Sequence, residues 1–134
     1  MTQRASGAFA GPGEGRFLLT GLFDGYEPPQ QAFLPFAEGI EIVPVYGRDE
    51  SGVELSETQP SAALLRYQPG AAVAAHRHPG FEHIIVLRGS QRDECGVYRR
   101  GDCIISAPGS RRSVRSDDGC LVLAIWNRPV RFDI

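Results

Sequence analysis

"GAAVAAHRHPGFEHIIVLRG", Gly70 to Gly89, contains all three histidines of the chain, with one glutamate among them. Side chains two apart on a strand share a face, so His76 and His78 stand side by side. Ala72 and Ala74 are expected on that same face, where small side chains leave room for an ion and a ligand. Pro79 and Gly80 make a tight turn. The next strand then begins near Phe81 and returns alongside, so Glu82 presents its carboxylate to the two imidazoles. Two neutral nitrogens and one anionic oxygen, with open positions left over, suit Zn(II), Fe(II), Mn(II) or Ni(II). By the same alternation His83 points away, towards the surface or an interface.

Outward from this stretch the text is of one kind. "IEIVPVYG", "AALLRYQ", "DCIISA" and "CLVLAIWNR" are strand-length pieces, and "DESG", "QPGA", "APGS" and "DDG" between them are turn chemistry. No segment carries a 3.6-residue apolar stripe. The pattern predicts an antiparallel all-β sandwich or barrel. The chain has 134 residues, 42% of them apolar, which suits one domain with one core. A net charge of −2 with mixed signs gives no nucleic-acid footprint. No apolar run is long enough to cross a bilayer, so no membrane partner is expected. The opening "MTQRASGAFAGPGEGRF" lacks the apolar stretch of a signal peptide, which predicts a cytoplasmic location. Residues 1–16 show no periodicity and are expected to be mobile. "RFLLTGLFDGY" reads as a short strand or a turn of helix lying on the domain. Cys95, Cys103 and Cys120 form no CxxC pair and read as buried thiols.

The spacing is specific. Gly70, five residues, His76-x-His78, three residues, Glu82, six residues and Gly89 match the first cupin motif. Gly101 through "CIISAPGSRR" resembles the second, with its turn at Pro108 and Gly109. Leu64 to Trp126 resembles the cupin domain of the ChrR anti-sigma-factor family and its stand-alone relatives. The resemblance implies a single all-β cupin barrel, a double-stranded β-helix or jelly roll, over residues 32–134. Residues 1–31 would then be a flexible extension. It also implies a metal held by His76, His78, Glu82 and a fourth histidine. Here the second motif reads "PGSRRS", and Arg112 stands where that histidine belongs. A guanidinium stays protonated and cannot ligate a metal. Either Arg112 swings aside and the trio keeps a metal, or it takes the cation's place and pairs with Glu82. If it lines the cavity, it offers a fork to a carboxylate or enolate ligand.

Two functions compete. One is a cupin that binds a metal and a small molecule in a sensory or regulatory role. The other is a metal-dependent dioxygenase of small diketone-like compounds, since the two-His-one-carboxylate trio leaves positions open. No side chain stands out as a general base or nucleophile. The anti-sigma relatives grip their sigma factor with an N-terminal zinc-binding helical domain. This chain has no room for that domain and lacks its ligands, which argues against a sigma factor as partner. Ile85 and Leu87 form an apolar stripe on the outer face of a strand. The N-terminal segment or a second subunit must cover it, and the resemblance implies a homodimer.

Overall fold

A computed structural model describes residues 15–132. The mobility expected of residues 1–14 lies outside the described residues. Ten strands follow a single 3-10 turn at Gln30–Ala32: β1 Leu34–Ala37, β2 Ile40–Tyr46, β3 Ser61–Tyr67, β4 Ala72–Arg77, β5 Glu82–Asp93, β6 Gly96–Arg99, β7 Cys103–Ser106, β8 Arg111–Arg115, β9 Cys120–Trp126 and β10 Arg131–Phe132. They are hydrogen-bonded in the order β1-β2-β3-β9-β5-β8-β4-β10, with β6 and β7 added on β5. Every pairing is antiparallel, and the sheet curls into the all-β cupin barrel.

Strand β5 ties the fold together. Its first part, from Glu82 to Gly89, pairs with β9, and Ser90–Asp93 pairs with β6. Arg92 also meets Arg115 of β8, which brings the second sheet onto the same strand. Strands β2, β3 and β9 are largely buried on both faces, and β5 is buried on its inner face and partly on its outer one. Ile42, Leu65, Val86 and Val122 point inward into the barrel core. Val43, Leu64, Leu87 and Leu121 alternate with them into a second apolar cluster on the outside. Leu19, Leu22, Tyr26 and Phe33 from the N-terminal segment pack on that outer cluster. "RFLLTGLFDGY" is thus an irregular flap with one turn, neither strand nor helix. Arg88 reaches Glu27 through two hydrogen bonds of 3.0 and 3.1 Å, and Arg66 stacks 3.6 Å over the Phe33 ring. Such exposed ion pairs are worth at most about 1 kcal/mol, so apolar burial holds the flap. At Leu87 the cover therefore comes from within the chain.

Three expectations need correction. Strands β4 and β5 share no ladder among the described residues; β4 pairs with β8 and β10. "HPGF" is therefore a crossing between sheets instead of a hairpin turn. Glu82 meets the histidines across the barrel interior, not from an adjacent strand. Second, β4 carries a bulge. Val73 pairs with Val114 and His76 with Arg112, so β4 has one residue more than β8 over this interval. The extra residue shifts the alternation. Val73 faces the interior with His76, while Ala72 and Ala74 are exposed. Third, of the cysteines only Cys120 is buried, and Cys95 and Cys103 lie at the surface.

Gly89 and Gly109 both have a left-handed backbone, with φ of 72° and 87°. A β-carbon at Gly89 would overlap the Gly119 carbonyl oxygen just before β9, and one at Gly109 would meet nothing within 4 Å. Gly109→Ala should cost about 1–2 kcal/mol of stability from backbone strain alone. Gly89→Ala should cost clearly more, above about 3 kcal/mol, because the β5–β9 pair must also part. Urea unfolding of the two variants beside the wild type measures the difference, and equal losses would contradict this packing.

Candidate metal centre

His76, His78 and Glu82 come together although they sit on three different pieces of backbone. His76 is held in β4 opposite Arg112. His78 follows the end of β4, where its N–H donates to the Ser110 carbonyl and its own carbonyl accepts from Gly109 N–H. The Pro108–Gly109 turn of the second motif thus positions the second histidine of the first. Glu82 opens β5 directly opposite Trp126 of β9. One nitrogen from each imidazole and one carboxylate oxygen lie within 4.8 Å of one another, and all three residues are buried.

The hydrogen bonds assign the tautomers. His76 Nδ1 lies 2.9 Å from the Ala74 carbonyl oxygen, which can only accept, so the proton is on Nδ1. His78 Nδ1 lies 3.0 Å from Ser110 Oγ. That hydroxyl donates its own hydrogen to the Ala107 carbonyl at 2.6 Å, so it accepts from His78 Nδ1. In the neutral rings the lone pair then sits on Nε2, the atom turned to the cluster. His78 Nε2 is buried without a hydrogen-bond partner, 3.2 Å from Glu82 Oε1. That contact is favourable if Nε2 carries a proton or if a cation stands between the two atoms, so the cluster could hold a metal ion. Outer partners that fix the tautomer in this way are typical of metal-bound histidines.

The remaining Glu82 oxygen accepts a 2.8 Å hydrogen bond from Trp126 Nε1. Burial pushes the Glu82 carboxyl upward, but His78, Arg112 and Trp126 together hold it below the usual carboxylate range. Burial likewise holds His76 below the ordinary imidazole value, against the opposing pull of the Ala74 carbonyl and Glu82. Glu82 therefore favours the ionised carboxylate and His76 the neutral imidazole, the forms in which each can ligate a metal.

Arg112 is buried, not one of a row of solvated arginines. It neither pairs with Glu82 nor fills the cation's place. Its Nη2 donates to Gln91 Oε1 at 3.4 Å, and Nε lies 3.8 Å from Asp93 Oδ2. His83 points away as expected, its ring 6.5 Å from that of Phe81. In front of the trio is a cavity of about 240 Å³, lined by both polar groups and apolar side chains. Tyr67, Gln91 and Arg48 border it, and none of them was singled out from sequence. Burial pushes the Tyr67 hydroxyl up, so it stays protonated. Arg48 is sandwiched over Trp126 at 4.6 Å and Phe36 at 5.6 Å. Ser110 could have been found, since it lies in the "PGS" turn two residues before Arg112. Arg48 and Trp126 carry no local signal, because only the barrel brings them to the site.

The comparisons with known proteins agree with this geometry. The model of the ChrR cupin-like domain matches residues 25–129. The anti-sigma-E factor ChrR of Cereibacter sphaeroides is 35% identical over 74 residues, 54% of this chain and 35% of the relative. The crystal structure of Rhodobacter sphaeroides SigE in complex with ChrR is similar with a TM-score of 0.58 at 24% identity, over 70% of this chain and 48% of that one. An acetylacetone dioxygenase from Acinetobacter johnsonii is similar with a TM-score of 0.66 at 15% identity, over 81% and 76% of the two chains, and shares the fold alone. The chain thus spans about a third of the length of the curated relative it matches. With both motifs in place and the family model covering most of its length, the chain belongs to the ChrR cupin-like domain family.

Proposed function

We propose that this cupin holds one divalent metal on His76, His78 and Glu82 and uses the adjoining cavity to bind a small molecule, in a sensory or regulatory role in the cytoplasm. The observation that carries the metal is the buried His78 Nε2 facing a carboxylate oxygen at 3.2 Å. A divalent ion there would supply a Lewis-acidic centre with open positions for a ligand. The chain's own residues do the rest. Ser110 and Ala74 keep the Nε2 lone pairs aimed inward, Trp126 fixes the carboxylate, and the apolar lining limits water. The sensory reading is supported by the relation to an anti-sigma factor and by the lack of an evident base or nucleophile at the site. Oxygen uptake on small diketones by the iron-loaded protein would overturn it in favour of a dioxygenase.

The outer face of β5 bears on assembly. Ile105, which is 60% exposed, pairs with His83, and Ile125 flanks His83 on the other side, beyond the flap that covers Leu87. A homodimer through this patch is part of the proposal.

Elemental analysis and titration calorimetry should find one zinc or iron per chain in the wild type and none in His78→Ala. Trp126→Phe should weaken the metal by about 10–100-fold, the usual effect of losing a group that orients a ligand. Because Arg112 is turned towards Gln91 and Asp93, Arg112→His should tighten metal binding only modestly. Metal should be lost on acidification only below about pH 6.5, since protons compete for the imidazoles and burial delays their protonation at His76. Sedimentation velocity should show a dimer for the wild type and a monomer for Ile105→Glu; a monomeric wild type would remove the dimer from the proposal.

A further inference from the structure

Arg112 is a buried cation with too few acceptors. It is 7% exposed, and among the described residues its Nε and Nη1 have no hydrogen-bond partner. Its one hydrogen bond, to Gln91, is long at 3.4 Å. Asp93 Oδ2 lies 3.8 Å from Nε, an ion pair beyond hydrogen-bond distance. Asp93 Oδ1 accepts from Cys95 N–H at 2.8 Å and from the Tyr98 hydroxyl at 2.7 Å. Unpaired donors on a buried charge are unfavourable, and they point to an acceptor that arrives from outside.

The other buried guanidinium at the cavity is better served. Arg48 donates to the Gly52 carbonyl at 2.7 Å and to Glu54 at 3.2 Å, and its faces rest on two aromatic rings. Arg48 leaves one buried nitrogen, Nε, unpartnered among the described residues and Arg112 leaves two, so the unmet demand is greater at Arg112. That residue stands opposite His76 in the β4–β8 ladder, beside the candidate metal ligands.

The geometry points to Arg112 as the anchor for the carboxylate of a small ligand, with the ligand's apolar remainder against Leu65, Val73, Ile84, Val114 and Val130. This rests on the reading of the cavity as a ligand site and adds the ligand's class. The charges agree. Asp93 and Glu54 balance Arg112 and Arg48, and a divalent ion on Glu82 leaves one positive charge over, which a monoanion neutralises. Size narrows the class further. An apolar cavity of roughly 150 Å³ holds benzene, so one of about 240 Å³ suits a monocarboxylate of roughly benzoate's bulk.

The probes are benzoate and pentanoate, with neutral benzamide as control, titrated calorimetrically into the zinc-loaded protein. At least one carboxylate should bind, and benzamide should bind roughly tenfold or more weakly, the scale of a hydrogen bond to a charged group. Arg112→Met should lose the carboxylate by a similar factor while keeping its zinc affinity. Arg112→Lys should fall between them, having the charge without the fork. If Arg112→Met does not fold, Arg112→Gln takes its place. Wild-type carboxylate affinity in the Met or Gln variant would overturn the inference, as would binding of neither carboxylate by the wild type. If the wild type takes up no zinc, the titration is repeated on the metal-free protein. Carboxylate binding that still depends on Arg112 would then uphold this inference while the metal reading fails.

Discussion

The carboxylate of Glu82 is an anion enclosed by the barrel wall, and much of the structure follows from keeping it satisfied. Burying an ionised carboxylate costs several kcal/mol unless its lone pairs find partners. Trp126 meets one oxygen from directly across the β5–β9 ladder, and the other faces Nε2 of His78. The register of the central strand pair and the geometry of the site are thus one constraint. A slip of one residue between the two strands would set Glu82 and Trp126 on opposite faces of the sheet. Gly89 enforces that register at the far end, since only a residue without a side chain can lie so close to Gly119.

The same central strands explain the N-terminal flap. A sheet that buries alternate residues on both sides needs a cover on each. The barrel closes over the inner face, and Leu19, Leu22, Tyr26 and Phe33 close over the outer one. The flap has no regular structure of its own to register as a strand or helix in the sequence, yet it is continuous with the domain's packing. On the other wall, the β4 bulge performs a different task. It re-aims the strand so that His76 enters the interior beside Val73, with the row of alanines turned outward.

Membership of the ChrR cupin-like family accounts for the motif spacing, and the departure at Arg112 gives this chain its own character. The position that would supply a fourth imidazole carries a permanent charge instead. The fold keeps that charge away from Glu82 by turning it to Gln91 and Asp93. Three ligands remain close enough for an ion, and the guanidinium is left beside the cavity with donors to spare. The shared region is the barrel, about a third of the curated relative's length, so the relation speaks for the domain and its site.

The sequence by itself determined the fold class and the candidate trio. Both depend on local regularities: turn residues at strand-length intervals, and a short run in which His76, His78 and Glu82 have a distinctive spacing. It also raised the Arg112 question, because the second motif shows which residue stands at the ligand position. Which way that arginine turns was open until Gln91 and Asp93, twenty-one and nineteen positions away, came alongside. The crossing at Pro79 and Gly80 read as a hairpin because a two-residue turn looks the same whether the next strand pairs with its neighbour or joins the opposite sheet. Strand pairing is decided by non-local hydrogen bonds, which leave no mark in a short window. The bulge was invisible for a related reason: an extra residue exists only relative to a partner strand. Trp126 and Arg48 reach the site from strands and loops far along the chain, and only closure of the barrel brings them to Glu82 and to the cavity.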